Sequence, residues 1–188
     1  WNHDNGRMLG VGYEEDLPKH QYFDEDDPET RILMALDSAF PDDAVDVTSE
    51  TRDGRYALVH THSATDPGRF YLFDTQTKQA TFLLAGRSWI DPDQMSPMKP
   101  ITVTARDGLV LHGYLTVPRS SNGRNMPMVV WVHGGPMARD DWAFDPIVQF
   151  LASRGYAVLQ MNYRGSSGYG EKFLEMGYKH WGTTMQDD

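Results

Sequence analysis

The segment Met128-Val129-Val130-Trp131-Val132 is apolar for five consecutive residues and is followed at once by His133-Gly134-Gly135-Pro136. An apolar run without the alternation of a half-solvated strand is expected of a strand buried on both faces of a parallel sheet. Glycine and proline directly after it close the strand in a tight loop. Residues 145–153 are amphipathic, with Ile147, Val148, Phe150 and Leu151 apolar, and Arg154-Gly155 ends them as a short helix. Residues 156–161 read as a second buried strand. Strand, loop, helix and strand in that order form a βαβ unit, so this part of the chain is α/β.

The first half has a different texture. Residues 8–13 and 19–23 are short strand candidates separated by the acidic turn Glu14-Glu15-Asp16-Leu17-Pro18. Pro28 followed by Ile32, Leu33, Leu36 and Phe40 has helical spacing, and Pro41 stops it. Four more strands are expected over 44–48, 56–62, 70–74 and 80–84, joined by Asp53-Gly54, Asp66-Pro67-Gly68 and Thr75-Gln76-Thr77-Lys78. In sequence they suggest one antiparallel sheet. The last pair is similar to the outer hairpin of a propeller blade, and no second copy follows at blade spacing. The segment 91–100 is rich in proline and lacks periodicity, and we place a domain boundary there. Residues 101–105 and 110–117 then form a hairpin across Arg106-Asp107-Gly108.

Composition excludes several functions. With 17 basic and 27 acidic residues the net charge is −10, which repels nucleic acid and anionic membrane surfaces. The chain has no cysteine, so disulfides, thiolate metal sites and a cysteine nucleophile are ruled out, and the compartment stays open. No apolar run reaches the length of a membrane span. The opening Trp1-Asn2-His3-Asp4-Asn5-Gly6 lacks the features of a signal peptide and begins without methionine, as an interior piece of a longer chain would.

The chemistry concentrates at the ends of the two strands of the βαβ unit, where ligands bind in open α/β sheets. Glycines at 134 and 135 let backbone N–H groups approach a substrate and face a developing negative oxygen, each such donor contributing roughly 3 kcal/mol to a transition state. The second strand leads into Asn162-Tyr163-Arg164-Gly165-Ser166-Ser167-Gly168-Tyr169-Gly170. The two motifs in order, with Leu111-His112-Gly113-Tyr114-Leu115 before them and Trp181-Gly182-Thr183-Thr184-Met185-Gln186-Asp187-Asp188 after them, resemble the prolyl oligopeptidase family of serine peptidases. The histidine at 133 is more like the acylaminoacyl peptidase and dipeptidyl aminopeptidase branches, since prolyl oligopeptidases proper carry tyrosine there.

The resemblance implies a β plus α/β chain: the end of a β-propeller-like region over 1–98, then the N-terminal part of an α/β-hydrolase domain over 99–188. It implies a peptidase acting on short peptides through an acyl-enzyme, without a cofactor. The backbone of Gly134 and Gly135 would form the oxyanion hole, with His133, Arg164 and Tyr169 shaping the loops. The nucleophile elbow, aspartate and histidine of the family follow these motifs, so they are expected beyond Asp188 and the chain alone is expected to be inactive. A carboxylesterase with the same loop, or a non-catalytic binding module, are the competing readings. In this fold the nucleophile strand pairs beside residues 128–132. Without it, that edge is expected to recruit another chain, to be covered by rearrangement, or to aggregate.

Three patterns are set aside. Gly165-Ser166-Ser167-Gly168 does not satisfy Gly-x-Ser-x-Gly in either frame, and none of the seven histidines is assignable as a general base. His60 and His62 share a strand face, but no third ligand stands at a recognisable spacing, so they read as solvent-facing and no metal is expected. Asp24-Glu25-Asp26-Asp27 lacks the glycine of a calcium loop and reads as a solvated turn. Trp142 and Phe144, beside a helix start, read as core.

Overall fold

The structure is a computed structural model that describes residues 7–188; the opening segment 1–6, read above for targeting signals, lies outside the described residues. The chain divides into two compact units, one holding residues up to 13 together with 18–93, the other 14–17 together with 94–188. No helix among the described residues is long and apolar enough to cross a membrane.

In the first unit, apart from the terminal Glu14, β1 (Gly10–Glu14) and β2 (Pro18–Tyr22) pair as a two-stranded sheet. Helix α1 (Pro28–Ala39) starts where Asp27 accepts hydrogen bonds from the N–H groups of Glu29 at 3.0 Å and Thr30 at 3.3 Å. Asp27 is thus a buried N-cap, also paired with Arg7 at 2.6 Å, and not part of a solvated turn. Strands β3 (Ala44–Glu50), β4 (Tyr56–His62), β5 (Arg69–Asp74) and β6 (Gln79–Ala85) form an antiparallel sheet in sequential order, as the sequence suggests. Leu36 of α1 packs with Val45, Ala57, Val59 and Phe73 as the core of this unit. Ala57 and Val59 are two residues apart on β4, and partly buried Ile32 and Phe40 stand four residues to either side of Leu36, as strand and helix periods require.

The second unit is built on β7 (Met98–Thr104), β8 (Val110–Thr116), β9 (Met128–Val130) and β10 (Ala157–Asn162), in the order β7-β8-β10-β9. The β7–β8 and β8–β10 pairs are antiparallel and β10–β9 is parallel, so the sheet is mixed. Helix α2 (Pro146–Ser153) makes the crossover from β9 to β10. Its N-cap, Asp145, accepts from the N–H groups of Ile147 at 2.7 Å and Val148 at 3.1 Å. Two short helices, α3 (Glu171–Glu175) and α4 (Thr184–Asp187), follow. Leu111, Met161 and Phe173 form a core cluster with Leu159 and Tyr169 against it.

One expectation is overturned. The run at 128–132 is not buried on both faces: Met128 and Val130 are each 53% exposed and Val132 56%. The strand spans only three residues and sits at the edge of the sheet, with β10 alone beside it among the described residues. β10, flanked on both sides, is the buried strand of the pair.

Candidate active site

The loop that leaves β9 is fixed through His133. Its Nδ1 lies 2.9 Å from the carbonyl oxygen of Gly134 and its Nε2 lies 2.9 Å from Oγ of Ser166. Its ring stacks on Tyr163, centroid to centroid 4.5 Å, and the Tyr163 hydroxyl donates to the His133 carbonyl at 2.9 Å. Gly134 and Gly135 are exposed, and neither N–H has a hydrogen-bond partner among the described residues. Gly135 has φ +136°, where an added Cβ would stand 3.0 Å from Cβ of Ala138; at Gly134 nothing lies within 4 Å of such an atom. The first position therefore requires glycine and the second leaves open space.

The loop that leaves β10 is held by two separate clusters. Arg164, buried, donates from Nε to Asp188 Oδ2 at 2.7 Å, from Nη2 to Asp188 Oδ1 at 2.6 Å and from Nη1 to Asp107 Oδ2 at 2.8 Å. Asp188 also accepts the backbone N–H of Arg164 at 3.0 Å. This bidentate geometry raises the guanidinium pKa above its ordinary value, through the hydrogen bonds to Asp188 first and Asp107 second. The bond from Arg164 holds Asp107 below the usual carboxylate range.

Tyr169 belongs to the second cluster. Its hydroxyl accepts from Nδ2 of Asn162 at 2.8 Å and Nη2 of Arg139 at 3.2 Å, while the Arg139 guanidinium lies 4.7 Å from the Tyr169 ring centroid. Arg139 also donates to the Glu14 carbonyl oxygen at 2.7 Å and pairs with the Glu14 carboxylate at 3.4 Å. That carboxylate accepts the Tyr114 hydroxyl and the Trp142 backbone N–H, both at 2.7 Å. Burial, then the Glu14 hydrogen bond, raises the Tyr114 pKa. Beside this cluster burial pushes the Asp140 carboxyl up, partly offset by the Gln160 amide at 3.0 Å, and Asp140 Oδ2 has no partner among the described residues.

Of the residues singled out by sequence, His133, Gly134 and Gly135 therefore share one loop and His133 meets the second loop at Ser166, whereas Arg164 and Tyr169 anchor that second loop at different points. The sequence reading did not single out Glu14, Tyr114, Arg139 or Asn162 for this site. Glu14 precedes Arg139 by 125 positions, and an acidic turn carries no local sign of such a partner. Ser166 has a histidine on its hydroxyl, but it is fully buried, and the other ring nitrogen of that histidine faces a carbonyl oxygen instead of a carboxylate. It lacks the exposed oxygen and the oriented base of a serine nucleophile. What the site offers is a pair of unpartnered backbone donors on a loop pinned by His133.

A second cluster lies in the first unit. Asp46, His60 and His62 present one donor atom each within 4.8 Å of one another. The histidines do share a strand face, as expected, but they are partly buried, and a third donor is present, on the neighbouring strand.

The comparisons point to a family of serine peptidases. The sequence pattern of the prolyl oligopeptidase family matches residues 142–188, and the chain belongs to that family. It is 36% identical over 170 residues to dipeptidyl aminopeptidase BIII of Pseudoxanthomonas mexicana, covering 86% of this chain and 24% of that protein. Over 177 residues it is 29% identical to dipeptidyl peptidase family member 6 of Caenorhabditis elegans, covering 83% and 24%. Among solved structures, puromycin hydrolase aligns with a TM-score of 0.60 at 30% identity, over 72% of this chain and 21% of that one. The acylaminoacyl peptidase of Pyrococcus horikoshii aligns with a TM-score of 0.60 at 26% identity, over 76% and 23%. The chain spans about a quarter of the length of the two curated relatives.

Proposed function

We propose that these residues form the oxyanion side of a serine peptidase that cleaves short peptides through an acyl-enzyme. The first unit is the end of a propeller-like domain and the second is the opening part of an α/β-hydrolase domain. The observation that carries the reading is the loop at the carboxyl end of β9, where Gly134 and Gly135 carry N–H groups with no partner among the described residues and His133 contacts the Gly134 carbonyl oxygen with one ring nitrogen and the Ser166 hydroxyl with the other. Such preorganised donors stabilise the tetrahedral oxyanion without reorganising during reaction. Arg164 and Tyr169 are positioning residues that hold the facing loop against Asp107, Asp188, Asn162 and Arg139. Substrates with a free or acylated amino terminus suit the names of the similar proteins, dipeptidyl aminopeptidase and acylaminoacyl peptidase.

The serine nucleophile is not supplied by these residues, because none of their serines combines an elbow frame, exposure and an oriented base. The test is a fluorophosphonate probe applied to the 188-residue chain together with an aminoacyl nitroanilide assay. No labelling and no turnover are expected. Stoichiometric modification of any serine here would overturn the division of labour.

A further inference from the structure

The antiparallel pairing of β3 and β4 sets Asp46 directly opposite His60, and His62 follows two residues along on the same face. The three donors, carried by two neighbouring strands, thus converge on one patch. His62 Nε2 stands 3.4 Å from Asp46 Oδ2, and His60 Nδ1 stands 3.9 Å from the same oxygen. The two imidazoles lie 5.3 Å apart in a near-parallel stack, and His60 also stacks with Phe70 at 4.6 Å. Behind it, an added Cβ at Gly68 would collide with His60 Nε2, so the glycine there leaves room for the ring and the packing fixes which nitrogen faces Asp46.

We propose that Asp46, His60 and His62 bind a first-row transition cation, with Zn²⁺ the best fit, as a clip between β3 and β4. At bond lengths of about 2.0–2.1 Å, tetrahedral donors stand about 3.3 Å apart, so this set closes on an ion by rotamer adjustments of about an ångström. Two imidazoles and one carboxylate, with a fourth position left to water, are a zinc donor set. Calcium and magnesium require a shell of oxygens that one carboxylate does not supply. The Asp46 side chain is 56% exposed, which gives an ion access from solvent.

The experiment titrates the metal-stripped chain with Zn²⁺ by calorimetry and with Co²⁺ by visible absorption. One Zn²⁺ per chain is expected, unaffected by excess Mg²⁺ or Ca²⁺, with a raised Tm and with tetrahedral Co²⁺ bands. Asp46→Asn, a near-isosteric change at an exposed carboxylate, is expected to weaken binding by at least about tenfold, as loss of even an outer-shell partner does. His60→Gln/His62→Gln is expected to abolish it. Because the double variant risks misfolding, NMR of the unaltered chain supplies a second readout: the imidazole signals of His60 and His62 shift with one equivalent of Zn²⁺. Absence of stoichiometric binding at micromolar Zn²⁺, undiminished binding by the folded double variant, or shifts confined to other histidines would each overturn the proposal.

Discussion

The imidazole Nε2 of His133 stands 2.9 Å from the hydroxyl oxygen of Ser166. In a hydrolase this distance invites reading the two as base and nucleophile, but the surroundings argue otherwise. Ser166 is fully buried, its backbone N–H donates to the Tyr163 carbonyl at 3.0 Å, and His133 is engaged with its own loop. The contact ties the loop after β9 to the loop after β10, and this is how His133 holds the glycines in place.

Ser166→Ala should therefore act on stability and loop order and leave probe reactivity unchanged. Losing one hydrogen bond from a partly buried histidine–serine contact costs about 1 kcal/mol. Thermal unfolding should register that loss, while a fluorophosphonate should label neither form. Probe labelling that disappears in the alanine variant would identify Ser166 as a nucleophile after all.

The two glycines should respond differently to substitution. Gly135→Ala places a side chain at φ +136° and 3.0 Å from Cβ of Ala138, a strain of order 1–3 kcal/mol. Gly134→Ala meets nothing within 4 Å and should fold with near-parent stability. On the proposed reading, Gly135→Pro, which removes the N–H, should slow acylation by the complete enzyme by roughly two orders of magnitude or more. Parent-like acylation by a folded Gly135→Pro enzyme would remove this donor from the mechanism.

His20 gives the first unit a pH dependence of defined sign. Its Nδ1 lies 3.1 Å from both carboxylate oxygens of Asp37, whose Oδ2 also accepts the Tyr22 hydroxyl at 2.7 Å. The Asp37 hydrogen bond raises the His20 pKa above 6.5 against partial desolvation, with Asp46 adding a weaker attraction. A base whose folded pKa is raised stabilises fully below its unfolded value and loses that contribution as pH rises through the folded value. The Tm difference between the parent chain and His20→Gln, measured in EDTA, should be largest near pH 6 and shrink toward pH 8.5. A difference that grows with pH would reverse the assignment.

Local pattern fixed the elements better than their surroundings. The strand β4 and the start of α1 at Pro28 fall where alternation and the proline signal put them, because both depend on neighbours close in sequence. The exposure of β9 was not legible: an apolar run states that a strand would be stable when covered, but what stands beside it is a matter of sheet order. Asp46 was missed as a third donor for the same reason, since its place opposite His60 depends on register across the Asp53-Gly54 turn and not on spacing. At the candidate site the glycines carried a local signal, whereas Glu14 acts on Arg139 through a contact that no window along the chain contains.

The edge at β9 supports the last prediction. The N–H of Trp131 donates to the Leu159 carbonyl at 2.8 Å, so by alternation the N–H of Val130 faces away from β10, and no strand among the described residues receives it. Exposed Met128, Val130 and Val132 flank that row. An apolar edge with open backbone groups is a template for strand addition, and a charge on it suppresses pairing. The chain should therefore associate with rising concentration in light scattering, and amides of 128–132 should exchange more slowly in the associated form. Val130→Lys should reduce the association while preserving Tm, because the side chain it replaces is already 53% exposed. A chain that stays monomeric at all concentrations while amides 128–132 exchange fast, or a Val130→Lys variant that associates as the parent does, would show that β9 is not the surface through which copies meet.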